Sequence, residues 1–295
     1  MGTRRTFLEE LALAAGAGAA LPSLLRADAR GDLTLTSRAA AGADRIDSLG
    51  VQLYTVRTLM KQDFERTLAR VGEAGYREVE FAGYFDRTPA QVRAALGAAG
   101  LVAPSTHIGL DDLLPANLPR LLDQAQAIGH EWIVVAWLGN AQRKSADTYK
   151  AVADTLLKAA DAARAERVRV AYHNHDFEFL PLPGGGIGYD VMLEQTRGST
   201  VGFEMDLCWI TKAGRDPMAY WLKWPERFPM VHVKDAVFAP AFAMKDVGAG
   251  TINWKGLFKE HVQAGIAHYF VEHDEPADPI ASITASAKFL RALTF

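Results

Sequence analysis

The sequence predicts a (β/α)8 barrel, the TIM-barrel architecture, and three observations carry that prediction. Short β-branched or apolar runs alternate with longer segments of helical period. The alternation continues for eight rounds, and eight strand–helix units typically occupy about 250 residues. The first strand leads into VQLYTVRTLM, which lacks the glycine-rich phosphate turn expected of a doubly wound open sheet.

The rhythm starts late in the chain. Residues 3–29 read TRRTFLEELALAAGAGAALPSLLRADA. Paired arginines (Arg4, Arg5), then Phe7 and Leu8, a weakly hydrophobic Ala/Gly/Leu stretch and a small-residue ADA resemble a twin-arginine export signal. Glu9 stands where that signal usually carries a lysine. Residues 1–29 are therefore expected to be a signal peptide read by the twin-arginine export machinery, and the mature protein periplasmic or otherwise extracytoplasmic. Residues 30–48 are polar and Ala/Gly-rich and read as a linker, with the barrel spanning 49–295.

The expected strands are GVQLYTV (50–56), REVEFAG (77–83), VAPSTHIG (102–109), WIVVAWL (132–138), VRVAYHNH (168–175), VGFEMDLCWI (201–210), MVHVKDA (230–236) and HYFVEHDE (268–275). The segments between them carry helix signals. DFERTLARVGEAG has helical spacing and Gly75 as its stop. TPAQVRAALGAAG opens on a Thr cap with Pro at the first helical position. SADTYKAVADTLLKAADAARAE is the longest. DPMAYWLKW and DPIASITASAKFLRAL both open on Asp-Pro.

Composition narrows the function. The 295 residues are 49% hydrophobic, enough for a sizeable core, and the formal net charge is -3. No basic footprint for nucleic acid is present. No apolar run approaches the ~18 residues of a membrane span. A single cysteine, Cys208, excludes an internal disulfide and a cysteine-based zinc knuckle. Export in the folded state suits such a chain, because a metal can be loaded before the protein leaves the cytoplasm.

In a (β/α)8 barrel the chemistry sits at the C-terminal ends of the strands. There the fifth strand offers His173, Asn174 and His175, the sixth Glu204 and Asp206, the seventh His232 and Lys234, and the eighth Glu272 to Glu275. Side chains two apart in a strand share a face, so each of the first three pairs points one way. Buried ionisable groups are costly unless paired or bound to metal. One ligand from each of these strands gives His173, Asp206, His232 and Glu272, a nitrogen–oxygen set suited to one divalent ion such as Mn, Co, Fe or Zn. Tyr54, Glu80, His107, Glu204 and Trp209 are candidate substrate contacts. The glycines of KDVGAGTINWKG (245–256) would let backbone approach a ligand.

The motifs GVQLYTVR, YHNHDFEF, GFEMDLCW, VHVKD, GAGTINW and VEHDE, in this order, resemble the xylose isomerase-like barrel superfamily of sugar phosphate isomerases and epimerases. The similarity spans nearly the whole chain beyond the linker. It implies one divalent metal held by a Glu, an Asp, a His and a Glu, and the last three carry over onto Asp206, His232 and Glu272. The first departs: VAYH places His173 where relatives carry glutamate. His173 as ligand, Glu178 or His175 reaching in from the loop, and a weak or absent metal all remain open. The resemblance further implies proton transfer next to a carbonyl of a keto sugar. Glu272 would act as ligand and base, with His175, Lys234 or Glu178 in the opposing role. Export favours an unphosphorylated sugar or polyol. With a 3-keto-glycoside or an inosose-like polyol the same step becomes the β-elimination of a lyase or hydratase. A non-catalytic sugar-binding barrel is the reading of another class, and an abasic-site endonuclease lacks enough ligands in its early strands.

Overall fold

The computed structural model describes residues 45–295, together with a short antiparallel pair, Arg26–Ala27 with Leu33–Thr34, in a separate N-terminal unit. Most of the expected signal peptide and most of the linker lie outside the described residues. In the unit from Asp44 to Phe295, eight parallel strands close into a barrel in sequence order. They are β1 (Gly50–Gln52), β2 (Glu78–Phe81), β3 (Val102–Ile108), β4 (Trp132–Val135), β5 (Arg169–His173), β6 (Gly202–Asp206), β7 (Met230–Val233) and β8 (His268–Val271). Closure is direct, with Phe270 of β8 opposite Gly50 of β1. Among the described residues, no helix is long and apolar enough to cross a membrane.

The five helices expected from sequence form where their caps dictate. Asp63 accepts from the backbone of Arg66 and starts the helix Phe64–Glu73. Thr88 and Gln91 make a reciprocal capping box with Pro89 at the first position of Pro89–Ala99. Ser145 starts Ala146–Ala163, Asp216 starts Pro217–Lys223 and Asp278 starts Pro279–Ala292. Several strands end earlier than the sequence suggests. β1 passes into a 3-10 turn at Leu53, and β6 stops at Asp206, whose carboxylate accepts from Cys208 and Trp209 and opens the helix Leu207–Lys212. The apolar run LCWI is therefore the buried side of a helix and not strand.

Side-chain alternation sorts the barrel into layers. Trp132, Val134, Ala171, Met230 and Phe270 form an apolar cluster of their own, apart from the larger core between strands and helices. Gly202 leaves space for it, since a Cβ there would press on the Trp132 ring at 2.8 Å. One step further along the strands the inward residues turn polar: Gln52, Glu80, Ser105, His107, His173, Glu204 and His232.

The 245–256 loop differs from expectation. It follows a hairpin, Asp235–Val237 with Ala243–Lys245, and wraps a protein carboxylate. Asp235, fully buried, accepts from the backbone N–H groups of Ala236, Gly248, Gly250 and Ile252 and from Trp254 Nε1 at 2.8 Å. A Cβ at Gly250 would collide with that carboxylate. Gly248 and Gly250 serve this internal anion. Removing the acceptor strands several buried donors at about 1–3 kcal/mol each. Asp235→Ala should therefore lower the melting temperature by roughly 6 °C or more. A scanning-calorimetry shift under 2 °C would show that the loop holds without it.

Candidate active site at the C-terminal mouth of the barrel

Strand register builds the site. His173 lies level with Glu204, and Asp206 lies level with His232. The deep floor is a compact set of three imidazoles and two carboxylates. Glu204 Oε2 lies 2.8 Å from His107 Nε2, 2.9 Å from His173 Nδ1 and 3.1 Å from His232 Nε2. Glu80 Oε2 lies 2.8 Å from His232 Nε2 and 3.1 Å from His107 Nε2. Gln52 Nε2 donates to Glu80 Oε2 and Ser105 Oγ donates to Glu80 Oε1.

Above the floor sits a second group. His232 Nδ1 faces Glu272 Oε2 at 2.8 Å. The Lys234 ammonium lies 2.8 Å from Glu272 Oε2, 2.8 Å from Asp274 Oδ1 and 3.1 Å from Asp206 Oδ2. Asn174 ties this layer to the backbone: its Oδ1 accepts from the N–H of Asp206 at 3.1 Å.

Burial disfavours each charge here, and the partners decide the outcome. It would raise Glu80, yet His107 and His232 hold that carboxylate well below its usual range. Burial and the neighbouring Glu80 push Glu204 up, but His232 and His107 bring it to about 2. Burial would lower His107, whereas Glu80 and Glu204 carry it to about 9. His232 is likewise raised against its burial by Glu204 and Glu272. His173 goes the other way, because burial and the charge of His232 keep it neutral. Burial and Lys234 also depress His175, to about 3. Burial raises Asp206 to about 6 despite Lys234. Lys234 and His232 overcome the burial of Glu272, so this carboxylate is an ionised base.

A cavity of about 1140 Å³ opens above both groups. Of the residues expected from sequence, Tyr54, His107, His173, His175, Trp209, Lys234 and Glu272 line it. Asp206, His232, Glu80 and Glu204 lie beneath its floor and do not. Glu80 and Glu204, expected as substrate contacts, instead clamp the imidazoles from below. Glu178 also stays out of the cavity: it pairs with the Tyr172 hydroxyl at 2.6 Å and accepts from the His175 N–H at 2.8 Å, fixing the loop after β5. Trp209 is covered on one side by Phe242 and Lys212. Sequence reasoning passed over Gln52, Ser105 and the half-exposed Trp137 of the cavity wall. Gln52 shares the inward face of β1 with Gly50, a signal that alternation carried.

Among the described residues, two groups have the spacing to hold a metal ion, His107–His173–Glu204–His232 and Asp206–His232–Glu272. The four residues proposed from sequence are thus divided: Asp206, His232 and Glu272 come together, while His173 joins the deeper set. Both sets mix imidazole and carboxylate, which suits a divalent ion, and among the described residues the buried Glu204 Oε1 has no hydrogen-bond partner.

A family model described as xylose isomerase-like TIM barrel matches residues 68–293. Solved structures of similar proteins include two sugar phosphate isomerase/epimerase proteins from Parabacteroides distasonis ATCC 8503. One is 26% identical, with a TM-score of 0.71, covering 83% of this chain and 98% of its own. The other is 24% identical, with a TM-score of 0.70, covering 87% and 96%. A xylose isomerase-like TIM barrel protein from Mycobacterium smegmatis, in complex with magnesium, is 14% identical with a TM-score of 0.64 and covers 82% and 95%. The latter two likenesses show the fold alone. No curated protein matches the chain.

Glu178 makes the site's surroundings sensitive to pH. Burial pushes its carboxyl up to about 8 from an ordinary 4.5. The folded state therefore binds this proton more tightly than the unfolded chain does. The stabilisation is complete below about pH 4.5 and is lost as pH rises through about 8. Glu178→Gln should flatten the fall in melting temperature between pH 5 and pH 9 by roughly 5–10 °C. Identical pH slopes by calorimetry would clear Glu178 as the cause.

Proposed function

Because the chain belongs to the xylose isomerase-like TIM-barrel family, we propose that it is a metal-dependent isomerase of the epimerase type. It would act by proton transfer next to the carbonyl of an unphosphorylated keto sugar. The observation that carries this reading is the Glu272 carboxylate, which lines the cavity and is held between Lys234 and His232. A carboxylate so held is a base, and Lys234 keeps it oriented. His175, neutral and with its Nδ1 buried and unpartnered, is the group that exchanges a proton on the substrate's other side. A divalent ion bound through His232 and its neighbours would supply Lewis-acid polarisation of the carbonyl.

The wall charge speaks for an unphosphorylated substrate. Five acids line the cavity (Asp112, Asp176, Glu272, Asp274, Glu275) against Arg120, Lys234 and the imidazolium of His107, which Glu80 and Glu204 already hold. Lys234 is already shared among three carboxylates, which leaves little positive field for a phosphate. The cavity is also larger than one sugar ring needs, and Trp137, Trp209, Phe242 and Tyr84 give it an apolar side. That favours a keto-glycoside among the substrates, for which the same proton abstraction expels the aglycone, the reaction of a lyase. In the same reading, residues 1–29 act as a twin-arginine signal and the enzyme works outside the cytoplasm.

The test is hydrogen exchange in heavy water on keto sugars and 3-keto-glycosides, with Mn, Co or Zn supplied. The expected result is deuterium at the carbon beside the carbonyl, lowered about 100-fold or more in Glu272→Gln. Phosphorylated analogues should react at least ten times more slowly. Tight sugar binding without exchange on any of these would make the protein a binding barrel instead.

A further inference from the structure

The resemblance places an ion on Asp206, His232 and Glu272, but that set already contains a cation. The Lys234 ammonium sits 2.8 Å from Glu272 Oε2 and 3.1 Å from Asp206 Oδ2. Asp206 Oδ1 is committed to the N–H groups of Cys208 and Trp209. A divalent ion there would stand beside a full positive charge and share two of its three ligands, Asp206 and Glu272, with it.

The deeper floor differs. His107, His173, Glu204 and His232 bring four donor atoms to within 4.8 Å of one another. Around Glu204 Oε2 the nitrogens lie at 2.8–3.1 Å. Ligands held about 2.1 Å from a common ion lie about 3 Å apart at right angles. The three imidazole rings are packed against one another, with centroids 4.4, 5.0 and 5.2 Å apart. Glu204 is fully buried, and its Oε1 has no hydrogen-bond partner among the described residues. Among the described residues, no lysine or arginine pairs with Glu204 or Glu80, whose ion pairs are made by His107, His173 and His232.

We propose that the divalent ion binds to His107 Nε2, His173 Nδ1, Glu204 and His232 Nε2. Glu80 adds negative charge beside this set, and Glu272 orients His232 through Nδ1. Carboxylate partners of this kind fix a ligand's tautomer. His107 and His173 line the cavity, so the ion has an open side toward substrate. Binding through Nε2 leaves Nδ1 of His232 facing Glu272. Glu204 thereby takes over the carboxylate that His173 displaced from the end of β5. Lys234, Asp206 and Glu272 are left for handling protons.

The assignment is independent of the isomerase reading, and its test needs no turnover. Full-length protein is stripped with chelator and reloaded with zinc, and X-ray absorption fine structure counts the imidazoles on the metal. Three support the deep site, and one overturns it in favour of Asp206, His232 and Glu272. Cobalt titrations followed by visible absorption then compare variants whose folding is checked by circular dichroism. Glu204→Gln and His107→Asn should each weaken cobalt binding at least tenfold, and Asp206→Asn less than threefold. The reverse order, or no metal binding by the wild type, also overturns the proposal.

Discussion

The arrangement depends on one interaction, the contact of the His232 imidazole with carboxylates on both sides. Nδ1 meets Glu272, and Nε2 meets Glu80 and Glu204. An imidazole with no solvent exposure is costly as a cation unless anions surround it. Those anions come from β2, β6 and β8, so three strands must hold their register for the ring to be satisfied. The apolar layer of Trp132, Val134, Ala171, Met230 and Phe270 beneath it seals the barrel and keeps the field of these charges unscreened. The polar floor and the apolar plug are therefore one design, since each sets the environment of the other.

Charge balance follows from that geometry. Glu80 and Glu204 stay ionised because His107 and His232 stand against them, and the two imidazoles stay protonated for the reciprocal reason. His173, third in the cluster, cannot carry another positive charge beside His232 and remains neutral. The floor is thus self-consistent as a proton-bearing cluster. A network of this kind holds its side chains in place before any ligand arrives, and pre-positioning of this sort makes an electrostatic site effective.

Much of this was legible in the sequence, and the illegible part has a definite cause. The alternation of strand and helix signals was enough for the eight strands, and period-two alternation put Glu204 with Asp206 and His232 with Lys234 on the inward face. Depth was not legible. Whether His173 meets Asp206 or Glu204 depends on the stagger between β5 and β6, and the pattern of a single strand does not encode stagger. The register sets His173 level with Glu204, two residues below Asp206. The same blindness made Glu80 look like a substrate contact, although Gln52 and Ser105 bury it under the floor. The run LCWI misled differently: apolar residues continued past the end of β6, and only the capping carboxylate of Asp206 marked the turn into helix.

The end of β7 shows how the barrel joins this floor to its rim. Lys234 and Asp235 are neighbours with opposite charge, and alternation sends them to opposite sides. Lys234 faces the cavity among Asp206, Glu272 and Asp274. Asp235 faces away and gathers the backbone of Gly248, Gly250 and Ile252 around itself. The hairpin that begins at Asp235 returns Met244 to the cavity wall, where its sulfur accepts from the N–H of Asp274, the residue that also holds Lys234. The path from the Asp235 loop to the Lys234 ammonium therefore closes on itself through Met244 and Asp274. A disturbance of the loop reaches the base, Glu272, through one hydrogen-bonded partner, so the stability of the rim and the orientation of the proton-handling group are set by the same few residues.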